Sequence, residues 1–140
     1  MRIAIDSEVA LRLVRDGVVV PPEIRLVGPA VLRSDALASL YRAVRAGELT
    51  DAEGRAALEG LAGLKIRLLG DRVSRATAWR LATRLGWEDP GPAEYLAVAQ
   101  LQSDLLVTDD PVVRAGADGV IALGTWADLV RGDARARRDR

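Results

Sequence analysis

Near the N-terminus the chain reads Arg2-Ile3-Ala4-Ile5-Asp6-Ser7, and much later it reads Asp104-Leu105-Leu106-Val107-Thr108-Asp109-Asp110. Both stretches contain short aliphatic runs that lead directly into acidic residues, and such runs are typical of buried parallel strands. In open α/β sheets the functional crevice lies outside the carboxyl ends of the strands. Carboxylates that meet there repel one another unless a cation or a proton joins them. The two stretches therefore suggest a divalent-metal site at one edge of a parallel sheet.

Strand-like and helix-like segments alternate along the rest of the chain, which is typical of a parallel sheet covered by helices. A capping box, Thr50-Asp51-Ala52-Glu53, opens one of these helices. The predicted strands cover residues 2–6, 23–27, 64–69, 105–108 and 120–122. The predicted helices begin at Ser7, Ser34 and Asp51 and also cover residues 71–85, 92–102, 110–115 and 124–130. We therefore predict an α/β fold with three layers, α/β/α, around a central parallel sheet of four to five strands.

The composition is that of one globular domain, which we place at residues 1–130 of the 140. Twenty basic residues balance twenty acidic ones, so the net charge favours no class of partner. Residues 131–140 alternate Arg with Asp and Ala and contain almost nothing apolar. We predict a disordered basic tail there, with contact to RNA as a lesser alternative.

The chain contains no cysteine and no histidine. Disulfides, zinc–thiolate sites, cysteine nucleophiles and Ser-His-Asp triads are therefore excluded. Any metal must be held by oxygen ligands, which favours Mg²⁺ or Mn²⁺ over zinc. No signal-like segment or long apolar span is present, so we expect a cytoplasmic protein without a membrane partner.

The acids that follow the two strands each have a structural alternative. Asp6 could be a metal ligand or the N-cap of the next helix, and the metal role is favoured because Ser7 can cap by itself. Either Asp109 or Asp110 could cap a helix that begins at Pro111, which leaves the other free. Thr108 could donate a hydrogen bond to a carboxylate or to a water on the metal, or could simply end the strand.

Two further acids lie at the starts of predicted helices. Asp35 could be a ligand, but a first-turn acid also interacts favourably with the helix dipole. If Gly91 is an N-cap and Pro92 occupies N1, Glu94 falls at N3, where a glutamate commonly accepts from backbone donors. For Glu94 the structural role is favoured.

Taken together, these segments resemble a PIN domain, most closely the small VapC-type ribonuclease toxins of prokaryotic toxin–antitoxin pairs. The resemblance extends from residue 2 to about residue 130 and depends on the order and spacing of several motifs. Besides the strand that ends in Asp6-Ser7, these are Leu32-Arg33-Ser34-Asp35-Ala36-Leu37, Ala93-Glu94-Tyr95-Leu96-Ala97-Val98-Ala99 and Leu106-Val107-Thr108-Asp109-Asp110.

The resemblance implies up to four acids around one or two Mg²⁺ or Mn²⁺ ions. The first would be Asp6, the second Asp35 where the family usually has Glu, and the last Asp110 with Asp109 beside it. The third acid of the family is replaced here by Pro92, which offers neither a ligand nor an N–H. Glu94 lies roughly 200° around the helix from Pro92, so it could substitute only if the helix starts late. Asp89 is a second possible substitute.

Two functions follow from this interpretation. The first is a metal-dependent endoribonuclease that cleaves RNA phosphodiesters with metal-activated water, forms a homodimer and is silenced by a cognate antitoxin protein. Its catalytic and metal-binding residues would be Asp6, Asp35 and Asp110. The alternative, favoured by Pro92, is a catalytically degenerate PIN domain that acts as an RNA-binding or protein-interaction module.

Overall fold

A four-stranded parallel sheet forms the centre of the computed structural model, which describes residues 1–131. The sheet has the strand order β3-β2-β1-β4 and consists of β1 (Arg2–Ile5), β2 (Arg25–Pro29), β3 (Ile66–Leu69) and β4 (Leu105–Val107). All three pairings are parallel, so the four strands end at the same edge of the sheet. The two strands that lead into acids, β1 and β4, are direct neighbours, with Ile5 opposite Val107. The predicted α/β class with a central parallel sheet is confirmed.

Helices flank the sheet. Within residues 1–131 they are α1 (Ser7–Arg15), α2 (Leu32–Arg45), α3 (Asp51–Ala62), α4 (Arg72–Leu85), α5 (Gly91–Gln102), α6 (Pro111–Gly116) and α7 (Trp126–Arg131). Helix α5 packs on β1, β2 and β4, whereas α4 packs against α5 and α1 contacts both α2 and α3. Because α5 lies between the sheet and α4, it is buried on most sides, and residues 95–99 are all inaccessible to solvent or nearly so.

The predicted fifth strand at residues 120–122 is not present in the described part of the chain. This segment runs beside β4 and forms one isolated parallel bridge, between Leu106 and Leu123. The Leu106 N–H donates to the carbonyl of Ala122, and the Gly124 N–H donates to the carbonyl of Leu106, each at 2.9 Å. The chain then turns directly into α7, so pairing extends no further. The sheet therefore has the lower of the two predicted strand numbers.

Helix starts agree with the sequence to within one residue where a side chain caps the helix. The predicted capping box of α3 is confirmed: Thr50 Oγ1 accepts from the Glu53 N–H at 3.1 Å, and Glu53 Oε1 accepts from the Thr50 N–H at 3.0 Å. Helix α2 begins at Leu32, two residues before the predicted start at Ser34, and has no side-chain cap. The side chain of Asp71 caps α4, which therefore begins one residue later than predicted.

In the sequence, an apolar face for α2 is predicted by the helical spacing of Leu37, Leu40, Tyr41 and Val44, but this face is only partly buried. Leu40 is buried and Val44 half-buried, but Leu37 and Tyr41 are exposed. The buried row of this helix is Leu32, Ala36 and Leu40, at a spacing of four residues. Because each residue advances about 100° around a helix, Leu37 and Tyr41 lie to one side of that row.

The predicted disordered tail at residues 131–140 lies, apart from the backbone of Arg131 at the end of α7, outside the described residues. Within the described residues, no helix is long and apolar enough to cross a membrane.

Close packing around α6 gives a prediction about stability. A Cβ on Gly116 would lie 2.6 Å from Trp87 Cη2 and 2.8 Å from Leu96 Cδ1, and Leu96 is fully buried. Gly116→Ala should therefore reduce the free energy of unfolding by roughly 1–3 kcal/mol through overpacking, measured by urea denaturation. The matched control is Gly63→Ala, because Gly63 has a helical φ of −87° and the atom nearest to an added Cβ is the Gly60 carbonyl oxygen, at 3.6 Å. Equal losses in the two variants would contradict this account of the packing.

Candidate functional site

Two polar residues follow neighbouring strands at the carboxyl edge of the sheet. Asp6 comes directly after β1 and Thr108 directly after β4. Because Ile5 and Val107 are paired across the two strands, the next residues emerge side by side. Both are buried, with 4% of Asp6 and 1% of Thr108 exposed.

The carboxylate of Asp6 has two partners. Its Oδ1 accepts a hydrogen bond from the Val9 N–H at 2.8 Å, which makes Asp6 the N-cap of α1. Its Oδ2 accepts a hydrogen bond from the Thr108 hydroxyl. The prediction that Ser7 caps α1 is therefore wrong, since the preceding carboxylate takes that role. Each carboxylate oxygen has two acceptor positions, so the capping role leaves Asp6 able to accept further contacts.

Thr108 also joins Asp6 to Asp110. Thr108 Oγ1 accepts from the Asp110 N–H at 3.1 Å while its hydroxyl donates to Asp6. Asp110 Oδ1 accepts from the N–H groups of Val112 and Val113 at 2.9 and 3.1 Å, so Asp110 caps α6. The sequence left open which acid caps this helix, and the structure assigns the cap to Asp110.

Asp109 points elsewhere. It is exposed and lines a groove between α1 and α2 with a volume of about 720 Å³. Residues Arg12, Arg15 and Arg42 also line this groove, together with Glu8. Of the two adjacent acids, Asp110 is therefore the one linked to Asp6 by hydrogen bonds.

Asp35 is held by Tyr95, a residue that sequence reasoning did not single out as functional. The Tyr95 hydroxyl donates to Asp35 Oδ2 at 2.6 Å, across α5 and α2. Burial, together with the neighbouring Asp35 carboxylate, raises the pKa of Tyr95 far above its usual value, so the hydroxyl stays protonated and can donate. The signal in the sequence is a single polar-tipped aromatic within the apolar run of α5, because a buried tyrosine hydroxyl usually finds a partner.

Glu94 lies near Asp35, although α5 begins earlier than predicted. Helix α5 starts at Gly91 with Pro90 as its N-cap, so Glu94 occupies N4 and the prediction of N3 is wrong by one position. Burial raises the pKa of Glu94, the negative charge of Asp35 raises it further, and Arg75 opposes both effects. The other proposed substitute, Asp89, accepts from the Gly91 N–H at 2.9 Å and thereby shapes the turn before α5.

The acids thus form two pairs, Asp6 with Asp110 and Asp35 with Glu94. Burial raises the pKa of Asp6, hydrogen bonds from Thr108 and Val9 lower it in part, and the charge of Asp110 raises it again. The charges of Asp35 and, more weakly, Asp6 also raise the pKa of Tyr95. The structure therefore links Asp6 to Asp110 through Thr108, and it places Glu94 within electrostatic reach of Asp35.

The chemistry of these residues fits a hard dication in part. Every candidate ligand is an oxygen, and a cation would relieve the repulsion between buried Asp6 and nearby Asp110. Among residues 1–131, however, no three acidic side chains are placed close enough together to hold one metal ion. Asp6 and Asp110 are the pair that would hold it, and a third protein ligand is not preassembled.

The buried Asp6 carboxylate predicts a pH dependence of stability. Burial raises the pKa of Asp6 in the folded protein above its value in the unfolded chain. Folding therefore favours the protonated carboxyl group. Its contribution to the free energy of unfolding is present at low pH and is lost as pH rises through the folded pKa. In metal-free protein, the free energy of unfolding of wild type should fall relative to Asp6→Asn as pH rises from about 4 to 7. Asparagine caps a helix as well as aspartate does. Urea denaturation at several pH values in chelator measures this difference, and a pH-independent difference would contradict the prediction.

The parallel sheet and its flanking helices form a PIN-like α/β fold. In particular, the structure is similar to one chain in the crystal structure of VapBC2 from Rickettsia felis, which was solved bound to a fragment of promoter DNA. The TM-score is 0.63 at 9% identity, over 90% of this chain and 99% of that one. It is also similar to PAE2754 from Pyrobaculum aerophilum, with a TM-score of 0.64 at 19% identity over 88% and 90% of the two chains. No family model matches the sequence, and no curated protein matches it.

Proposed function

We propose that this protein is a metal-dependent endoribonuclease of a toxin–antitoxin pair. The observation that carries the proposal is the pairing of Asp6 and Asp110 through Thr108 at the carboxyl edge of the sheet, in a fold that resembles VapBC2. In open α/β sheets this edge is where ligands bind. The elements that bring the two acids together are distant in sequence, so their meeting is a property of the fold.

Each residue of the site has a distinct part in this proposal. Asp6 and Asp110 would hold Mg²⁺ or Mn²⁺, and Asp35 on α2 and Glu94 on α5 would be further carboxylates of the site. A bound dication supplies the positive charge that acidifies a water and stabilises the charge that develops on the phosphate. Thr108 orients Asp6, and Tyr95 orients Asp35. The N–H groups at the start of α6 hold Asp110 in place.

The direct test is whether RNA cleavage depends on the metal. Purified protein should cleave a labelled single-stranded RNA in millimolar Mn²⁺, lose this activity in excess chelator and regain it when Mn²⁺ is returned. Asp110→Asn should bind Mn²⁺ more weakly in calorimetry, while Asp118→Asn, an exposed acid outside the site, should bind it as wild type does. Cleavage that persists undiminished in chelator would contradict a metal-dependent mechanism.

A second candidate function is a silent PIN-like module that binds RNA or protein without cleaving it. It is favoured by Pro92 at the position of the third family acid and by the lack of a three-acid cluster in the described chain. This candidate predicts no calorimetric signal with Mg²⁺ or Mn²⁺ at millimolar concentration, together with no cleavage. Binding of RNA without any response to metal would favour it over the nuclease.

The partners follow from the same proposal. VapBC2, to which the fold is similar, was solved bound to promoter DNA. By analogy, we propose that this chain has an antitoxin partner. The groove between α1 and α2 is a suitable surface for such a partner, because it is lined by Asp109, the residue next to Asp110 in the chain. Co-expression with a small DNA-binding protein encoded beside this gene should suppress cleavage. Light scattering of the purified chain tests whether it forms the proposed homodimer.

A further inference from the structure

The outer face of α4 has an unusual combination of charge and exposure. The helix contains four arginines, Arg72, Arg75, Arg80 and Arg84, and no acidic residue. Among the described residues, none of the four forms an ion pair. In their midst lies Trp79, which is 74% exposed. A large aromatic ring left in water among cations that lack ion-pair partners has no evident role in packing.

The arrangement of these residues along α4 forms a continuous track. Arg75, Trp79 and Thr83 follow one another at intervals of four residues, so they lie on one face of the helix. Beside them, Arg80 and Arg84 line a shallow groove of about 330 Å³ between α4 and α5, together with Gln100. The helix of 14 residues is roughly 21 Å long.

One end of this track lies at the carboxyl edge of the sheet, on the side of Glu94. Helix α4 follows β3 directly, so it begins at the same edge of the sheet where β1 and β4 end. Arg75, in the first turn, is close enough to Glu94 to lower the pKa of that carboxyl. Arg80 and Arg84 lie further along the helix, away from this edge. A strand bound along α4 would therefore lead towards Asp35 and Glu94.

We propose that the exposed face of α4 is a binding track for single-stranded RNA, on which a base stacks on Trp79 while the arginines contact phosphates. The inference rests on the proposed function for its substrate class, and it adds the path by which that substrate reaches the acids. Aromatic platforms within positively charged grooves are how proteins bind single strands without reading sequence. A second copy of this chain fits the face less well, because two copies of α4 would bring like charges together.

The test measures RNA binding apart from cleavage. Asp6→Asn protein in chelator is titrated into a labelled, unstructured 12-nucleotide RNA, and binding is followed by fluorescence anisotropy. In this background Trp79→Ala should weaken binding about fivefold or more, whereas Trp79→Phe should retain it within about threefold, because stacking contributes on the order of 1–3 kcal/mol per base. The matched control is Tyr41→Ala on α2, which removes another exposed aromatic and should leave binding unchanged.

The arginines are tested by salt dependence. Arg75→Ala/Arg84→Ala should reduce the slope of log K against log salt by roughly 1.4, since each lost phosphate contact removes about 0.7 for a single strand. Arg45→Ala/Arg55→Ala removes two exposed arginines from α2 and α3 and should leave the slope unchanged.

Four outcomes overturn the proposal: no RNA binding by the Asp6→Asn parent, unchanged binding by Trp79→Ala, equal loss in the Tyr41→Ala control, or, as the fourth, a fall in oligomeric state on Trp79→Ala in light scattering. The last outcome would assign the face to contact between copies of the chain.

The nuclease proposal and the binding-track proposal can fail separately. RNA binding through Trp79 in a wild-type protein that never cleaves would remove the nuclease and keep the track. Cleavage with unchanged binding by Trp79→Ala would remove the track and keep the nuclease.

Discussion

Replacement of Asp6 by asparagine should reduce the rate of RNA cleavage in Mn²⁺ at least about a hundredfold. Loss of a residue that merely supports a metal ligand commonly costs 10–100-fold in affinity or activity, and loss of a ligand should cost more. Asp6 is the acid most firmly placed for this role, because it is buried, follows a central strand and is joined to Asp110 through Thr108.

The substitution should leave the fold intact. Asparagine can accept from the Val9 N–H as Asp6 Oδ1 does, and it is an equally good N-cap. Thermal unfolding in chelator should therefore show a variant at least as stable as wild type near pH 7. The matched control is Asp51→Asn, an exposed acid in the first turn of α3, which should cleave RNA at the wild-type rate. Equal cleavage by Asp6→Asn and wild type would remove Asp6 from the mechanism.

The second large effect is expected from Pro92→Asp, which should tighten Mn²⁺ binding by about tenfold or more. Proline occupies the second position of α5, on the helix that also carries Glu94 and Tyr95. An aspartate there is favoured by the helix N-terminus. It would also add a carboxylate to the helix whose Tyr95 contacts Asp35, and affinity for hard cations rises with the number of charged ligands.

Calorimetry with Mn²⁺ measures this gain, and Pro92→Asn is the control because it matches the size of aspartate without its charge. If both variants bind Mn²⁺ as wild type does, position 92 does not face the ion. A gain in affinity for Pro92→Asp alone, with a parallel gain in RNA cleavage, would show that a missing ligand limits the natural site. A gain in affinity without any cleavage would favour the silent module.

The sequence alone predicts the parts of the fold that depend on local pattern. The continuous aliphatic runs before Asp6 and Thr108 predict buried parallel strands because both faces of such strands are covered. The capping box at Thr50 predicts the start of α3 because its two hydrogen bonds join residues only three apart. Boundaries that no side chain marks are harder to predict, and α2 begins two residues before Ser34 without a side-chain cap.

Helix periodicity alone also did not show which apolar side chains are buried. Leu37 and Tyr41 recur at helical spacing in the sequence, yet they are exposed. The buried stripe of a helix is chosen by the elements that pack on it, and Leu32, Ala36 and Leu40 are the residues that α2 turns inward.

For the candidate site, the chemistry can be predicted from the amino acids alone: oxygen donors only, with acids placed directly after buried strands. Which of these acids meet depends on the fold. Only the strand order β3-β2-β1-β4 makes β1 and β4 neighbours, and only the approach of α5 to α2 gives Asp35 a tyrosine partner. Hydrogen bonds within a cap depend on residues a few positions apart, whereas the Asp6–Thr108 contact joins residues 102 positions apart and exists only once the sheet has formed.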